Sequence, residues 1–142
     1  WLNDRLLSCE PMKYKRHILW YQPAGKHMMK FNSEKCKGGA YYLPALLYFV
    51  QNDHIRIYAM KTGLKRPNLA TELYRAPLFN LTNDIICWGS VRLNIEKIHE
   101  IDTEMKAWEN ALWNSTFTDH GGNSSNLHIT YNKIRNEEKK FP

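Results

Sequence analysis

An α+β domain, a four-stranded antiparallel meander packed on helices, is predicted by three features of the sequence. Apolar and aromatic runs separated by turn residues fill the first half. Within the run His54–Met60, Ile55, Ile57 and Ala59 alternate with Arg56, Tyr58 and Met60, the period of two that turns one face of a strand inward. Helical spacing takes over only in the second half, where Met105, Trp108, Ala111 and Leu112 fall at i, i+3, i+6 and i+7. Strands first and helices after is the order of an α+β fold rather than of repeated βαβ units.

The elements follow in chain order. Leu2, Leu6, Leu7 and Cys9 have near-helical spacing and predict a short helix over 2–9. His17-Ile18-Leu19-Trp20-Tyr21 is a strand stopped by the turn residues Gln22-Pro23-Ala24-Gly25, and His27-Met28-Met29-Lys30-Phe31 resumes as a second strand, so the pair predicts a hairpin. After the loop at Lys37-Gly38-Gly39, Ala45 to Val50 forms the third strand, joined through Gln51-Asn52-Asp53 to the fourth over His54–Met60. Thr62 to Thr71, with Gly63 and Pro67, is a loop. A helix then starts at Asp102 as N-cap, with Glu104 near its positive end, and stops before His120-Gly121-Gly122. Asn123 to Asn126 is a polar loop, Leu127 to Tyr131 alternates weakly, and Asn136 to Lys140 is a charged tail.

Composition bounds the function classes. At 142 residues and 43% hydrophobic content the sequence predicts a single domain over 1–142. It opens at Trp1 rather than at a methionine, which fits a chain that lacks an upstream segment. Cys9, Cys36 and Cys87 form no Cys-x-x-Cys pair and no even framework, so free thiols in a reducing, cytoplasmic setting are expected rather than disulfides or a zinc cluster. His17, His27, His54, His99 and His128 show no i, i+4 metal pairing, and no metal or cofactor is expected. No apolar stretch approaches the roughly 20 residues of a membrane span, and Tyr42 to Val50 is predicted as a buried strand. The net charge of +6 is spread over the length of the chain, in the manner of a solvated surface, and a nucleic-acid partner is disfavoured. Trp108 and Trp113 are predicted to be core residues rather than a platform for bases.

The chemistry gathers around Cys87, which closes the run Pro77-Leu78-Phe79-Asn80-Leu81-Thr82-Asn83-Asp84-Ile85-Ile86. Acyl transfer through a thioester needs a reachable thiol, a group to stabilise the oxyanion and a means of deprotonating the attacking nucleophile. Cys87 supplies the thiol, or else is a buried structural cysteine. Asn80 can donate its side-chain amide to the oxyanion, a kind of contact worth about 3–4 kcal/mol in acyl-transfer sites, or can stabilise a turn. Asp84 can orient or deprotonate an incoming amine, or serve the turn alone. His120 can act as a base, which raises a Cys-His hydrolase as a rival, or can sit solvated at a helix end.

The order Pro77, Asn80, the Asn83-Asp84 turn and Ile85-Ile86-Cys87 resembles the segment around the thioester-forming cysteine of ubiquitin-conjugating enzymes. The blocks Leu73-Tyr74-Arg75-Ala76-Pro77, Phe79-Asn80, Ile86-Cys87-Trp88-Gly89, Trp108, Trp113 and Phe117-Thr118-Asp119-His120 are similar to the bacterial ubiquitin-conjugating-like proteins encoded as protein B of the PRTRC gene cluster. The stretch from Asn80 to Cys87 is one residue shorter than that pattern, and Ala76 or a neighbour stands where the family has a histidine. The resemblance implies a ubiquitin-conjugating-like fold and an acyltransferase that takes a ubiquitin-like modifier onto Cys87 and passes it to an amine. It implies as partners that modifier, a ubiquitin-activating-like enzyme and a deconjugating metalloprotease, in a system for plasmid maintenance or antiphage defence. The alternative is a non-catalytic scaffold of the same fold that binds the modifier or its activating enzyme.

Overall fold

The computed structural model of the chain describes residues 3–11, 15–52, 54–61, 65–86, 88, 93, 100–118 and 131. The elements are β1 (Leu6–Glu10), β2 (His17–Gln22), β3 (Gly25–Asn32), β4 (Gly39–Leu43), β5 (Ala45–Gln51), β6 (His54–Met60), β7 (Leu73–Arg75), β8 (Leu81–Thr82), β9 (Ile85–Ile86), α1 (Ile101–Asn114) and β10 (Thr116–Thr118). A larger sheet has the order β1-β2-β5-β6-β9-β8, with β7 also paired to β6, and a smaller one the order β10-β3-β4.

Four neighbouring antiparallel strands are present, but they are β1, β2, β5 and β6 rather than the four that the sequence predicts. Leu6, Leu7 and Cys9, expected on a helix, lie on β1. The hairpin between β2 and β3 does not form. A two-residue connection through Pro23-Ala24 would need a positive φ at its first central residue, and proline is locked near −65°. The chain therefore leaves the larger sheet at Pro23, and β3 pairs with β4 in the smaller one. Pro44 divides the run Tyr42 to Val50 in the same way: without an amide hydrogen it donates nothing to a ladder, so β4 ends at Leu43 and β5 starts at Ala45 in the other sheet. The β3–β4 pair closes around Gly38, where an added Cβ would lie 3.2 Å from the Met29 carbonyl oxygen.

The period of two in β6 holds: Ile55, Ile57 and Ala59 are buried, while His54 and Arg56 are exposed. The helix holds as well, with different ends. Glu100, not Asp102, is the N-cap residue. At the other end the Ser115 hydroxyl donates to the Leu112 carbonyl at 2.6 Å, the backbone turns extended, and Thr116-Phe117-Thr118 forms β10 parallel to β3. Met105, Trp108 and Leu112 face the core, and Ala111 is half-buried.

Two kinds of contact hold these layers together. Between α1 and the larger sheet, Glu104 takes both guanidinium nitrogens of Arg16 and the indole N–H of Trp108, the latter at 3.3 Å. One turn on, Glu109 takes Arg5 at 2.6 Å and the Trp20 indole N–H at 2.9 Å. Around the smaller sheet the contacts are rings. Phe31 meets Tyr41, Phe79, Phe117 and Tyr131 at centroid distances of 5.8, 5.3, 5.8 and 5.4 Å. Trp108 is buried in the core, and Trp113, half-buried, packs against that core and stacks on His27 at 3.9 Å. The helix stops before His120, as expected, and already at Asn114, whereas His120 itself, the loop Asn123 to Asn126 and the tail Asn136 to Lys140 lie outside the described residues.

Candidate functional site

The segment that leads to position 87 is fixed from its beginning. Ala76, Pro77, Leu78 and Phe79 are all buried. The Leu78 amide donates to the Ala76 carbonyl at 2.8 Å, a three-residue turn about Pro77, and the Tyr131 hydroxyl donates to the Pro77 carbonyl. A buried carbonyl in an irregular segment needs such a donor, and Tyr131 supplies it from a distant part of the chain.

Beyond Asn80, β8 and β9 form a hairpin with Leu81 opposite Ile86 and Thr82 opposite Ile85. Its two-residue loop is Asn83-Asp84, with φ of 50° and 64°. Two successive left-handed residues make the turn whose twist matches that of the flanking strands, and Asn and Asp are among the residues that accept that conformation at least cost. The hairpin is docked on β6: Arg56 pairs with Ile85, and the Ile57 amide donates to the Asp84 carbonyl at 3.0 Å. Leu81 and Ile86 are buried in the core, and the Trp88 ring lies 5.6 Å from that of Trp108.

Of the predicted site residues, Cys87 and His120 lie outside the described residues. Asn80 and Asp84 are described, at opposite ends of the hairpin. The Asn80 Nδ2 group donates to the Thr116 carbonyl at 3.3 Å, and its Oδ1 accepts from the Thr118 amide at 3.1 Å. Its side chain thus takes the place of a strand residue beside β10, tying the site segment to the end of α1. A primary amide has two N–H bonds, and this arrangement occupies one. Asp84, at the hairpin tip, lines a shallow surface pocket of about 360 Å³ with Tyr58, Leu73, Tyr74, Arg75 and Asn83. At the rim of that pocket the Tyr74 hydroxyl donates to Glu72, which favours the neutral phenol and raises its pKa, and Lys61 Nζ sits 5.1 Å from the Tyr74 ring centroid.

Other groups bear on the chemistry. Cys9 is half-buried and Cys36 buried, and neither is in a disulfide. Burial lowers the pKa of His27 to about 4, so the ring stacked on Trp113 is neutral near pH 7. No group of three or more metal-ligating side chains occurs among the described residues, and no described helix is long and apolar enough to cross a membrane. Sequence reasoning missed the two Arg–Glu–Trp clamps and the Tyr131 anchor. Glu104 carried a signal, since it lies one residue before Met105 on the predicted helical stripe; Tyr131 carried none beyond its aromatic ring.

The family model described as prokaryotic E2 family D matches the chain over residues 1–142. No curated protein and no solved structure matches it.

Proposed function

The chain belongs to prokaryotic E2 family D, which ties it to ubiquitin-like conjugation, and from that premise we propose that it accepts a ubiquitin-like modifier as a thioester on Cys87 and passes it to an amine. The family match over the whole length carries this proposal. The Cys87 thiolate attacks the modifier's C-terminal carbonyl, presented as a thioester by an activating enzyme, and the activating enzyme's thiolate leaves. A lysine amine then attacks the new thioester and the Cys87 thiolate leaves. Exchange between thioesters is nearly isoenergetic, so positioning and charge stabilisation suffice, and a thiol of ordinary pKa is already a few per cent ionised near neutrality.

Asn80 supports the proposal by position. Asn80 and Cys87 are, in sequence, the next residues outward from the Leu81–Ile86 pair of the hairpin. Its remaining N–H is the proposed donor to the oxyanion. Asp84 is proposed to act on the incoming amine from the hairpin tip, and His120 as a base. The finer assignment to the protein B group of the PRTRC cluster, with its metalloprotease partner and a role in plasmid maintenance or antiphage defence, is proposed on the motif blocks named above.

One observation favours the scaffold alternative: both functional atoms of the Asn80 amide already serve β10. Incubation with the modifier, its activating enzyme and ATP separates the two. Catalysis gives a band on a non-reducing gel that dithiothreitol abolishes and that Cys87→Ser converts to a thiol-resistant ester or removes. A protein that binds the modifier with no such band is a scaffold.

A further inference from the structure

Away from the Cys87 segment, the first two strands hold a second nucleophile beside a base. The Ser8 Oγ lies 2.9 Å from His17 Nε2, and His17 Nδ1 lies 3.2 Å from the Lys15 carbonyl oxygen. A carbonyl only accepts, so Nδ1 carries the ring proton. In the neutral ring Nε2 is then the acceptor, and the Ser8 hydroxyl donates to it. Nucleophile, base and orienting acceptor are thus connected in the order that hydroxyl activation requires.

Apolar side chains stand on one side of the hydroxyl. The ladder between β1 and β2 slips between Leu6 and Ser8, a bulge of the kind that re-aims a side chain, and Ser8 is exposed. Leu19 stands opposite Ser8, Phe49 stands opposite Leu19, and the Phe49 ring centroid is 6.1 Å from that of His17. Leu19 and Phe49 make a short apolar strip on the sheet beside the hydroxyl, long enough for a small acyl group and bounded by Glu10 opposite His17 and Arg56 opposite Phe49.

We propose that Ser8 is a nucleophile activated by His17 toward activated esters of small apolar acids. The Ser8 Oγ forms a bond to the acyl carbon as its proton moves to His17 Nε2, and the ester's alkoxide or phenoxide leaves, taking that proton. Water then attacks the acyl-serine with His17 again as base, releasing the carboxylic acid and restoring the hydroxyl. The Nδ1–H to Lys15 bond holds the ring in the required tautomer throughout.

A fluorophosphonate probe tests this on the full chain, because a Ser8 Oγ–P bond forms as fluoride leaves. Labelling is expected on the peptide that contains Ser8, is lost in Ser8→Ala, slows about 100-fold in His17→Gln, and persists after the thiols are blocked with iodoacetamide. Circular dichroism of both variants verifies the fold, and an exposed Ser→Ala change removes no packing. An unlabelled wild-type protein, a label mapped to another residue, or His17→Gln labelling at the wild-type rate each overturns the proposal.

Discussion

The two sheets are fastened by different physics. The larger one meets α1 through buried charge: Glu104 is 1% exposed, and both it and Glu109 are satisfied by an arginine from the N-terminal strand region and by a tryptophan indole. The smaller one meets the segment 76–79 through rings, Phe31 against Phe79, in a cluster that Tyr131 completes while donating to the Pro77 carbonyl. Ring packing supplies large apolar burial with little demand on exact partners. Paired buried charges contribute less net stability, yet each tolerates few alternatives, because a helix slipped by one residue would leave a carboxylate buried and unpaired. The start of the site segment, residues 76–79, belongs to the ring-packed region and depends on apolar volume, while its hairpin belongs to the larger sheet, on which α1 is seated by its apolar face and by charge.

The largest expected effect comes from removing volume on the ring side. Phe79 is fully buried, in contact with Phe31 and Tyr131, and directly precedes Asn80. Phe79→Ala should cost about 4 kcal/mol of unfolding free energy, read from a urea or guanidinium transition. Under conditions where the variant remains folded, thioester loading should fall as well, because the same cavity loosens the turn about Pro77. Loss of stability with unchanged loading would separate the ring cluster from the site.

On the charge side the effect is smaller and reversible by design. Arg16→Ala strips Glu104 of its ion pair while leaving the carboxylate buried, which should cost about 2–3 kcal/mol, discounted because the Arg16 side chain is 30% exposed. The double change Arg16→Met with Glu104→Leu should recover most of that loss, since an apolar pair of similar volume often equals a buried ion pair. Loading on Cys87 should follow the wild type in both folded variants. If the double variant is no more stable than the single one, the clamp contributes more than compensation of a buried charge.

What the sequence conveyed follows the same division. Local signals were legible: the alternation of Ile55, Ile57 and Ala59, the stripe of Met105, Trp108 and Leu112, and the turn chemistry of Asn83-Asp84 all describe what neighbouring residues do to one another. Partner choice was not. Nothing in His17–Tyr21 or His27–Phe31 states that the first pairs with β5 and the second with β4, and the decisive residues were Pro23 and Pro44, each of which reads as a local stop but acts by moving the chain between sheets. Arg5 and Glu109 are 104 positions apart, and the ring of Tyr131 reaches Pro77 across 54, so no window along the chain contains either contact. The site fared similarly. The Asn83-Asp84 turn before Cys87 was readable, while its closing of a hairpin and the attachment of Asn80 to β10 were not, the latter requiring a strand after α1.

The smallest expected effect is the most discriminating for the site. Asp84 holds φ at 64°, a conformation that is free of side-chain cost only for glycine, and Asn-Gly is the favoured pair for this loop. Asp84→Gly should therefore leave stability unchanged or raise it by about 0.5 kcal/mol, since glycine relieves the strained φ while adding unfolded-state entropy. The Ile57 amide still finds its acceptor, because that bond uses the backbone carbonyl of residue 84 rather than its carboxylate. If the side chain serves only the turn, loading onto Cys87 and discharge to free lysine both proceed at the wild-type rate. If it acts on the incoming amine, loading is retained and discharge slows by at least ten-fold, a split visible in a single-turnover chase. A fall in loading itself would fit neither role and would mean that the hairpin tip, on the β6 and β7 side, meets the modifier directly.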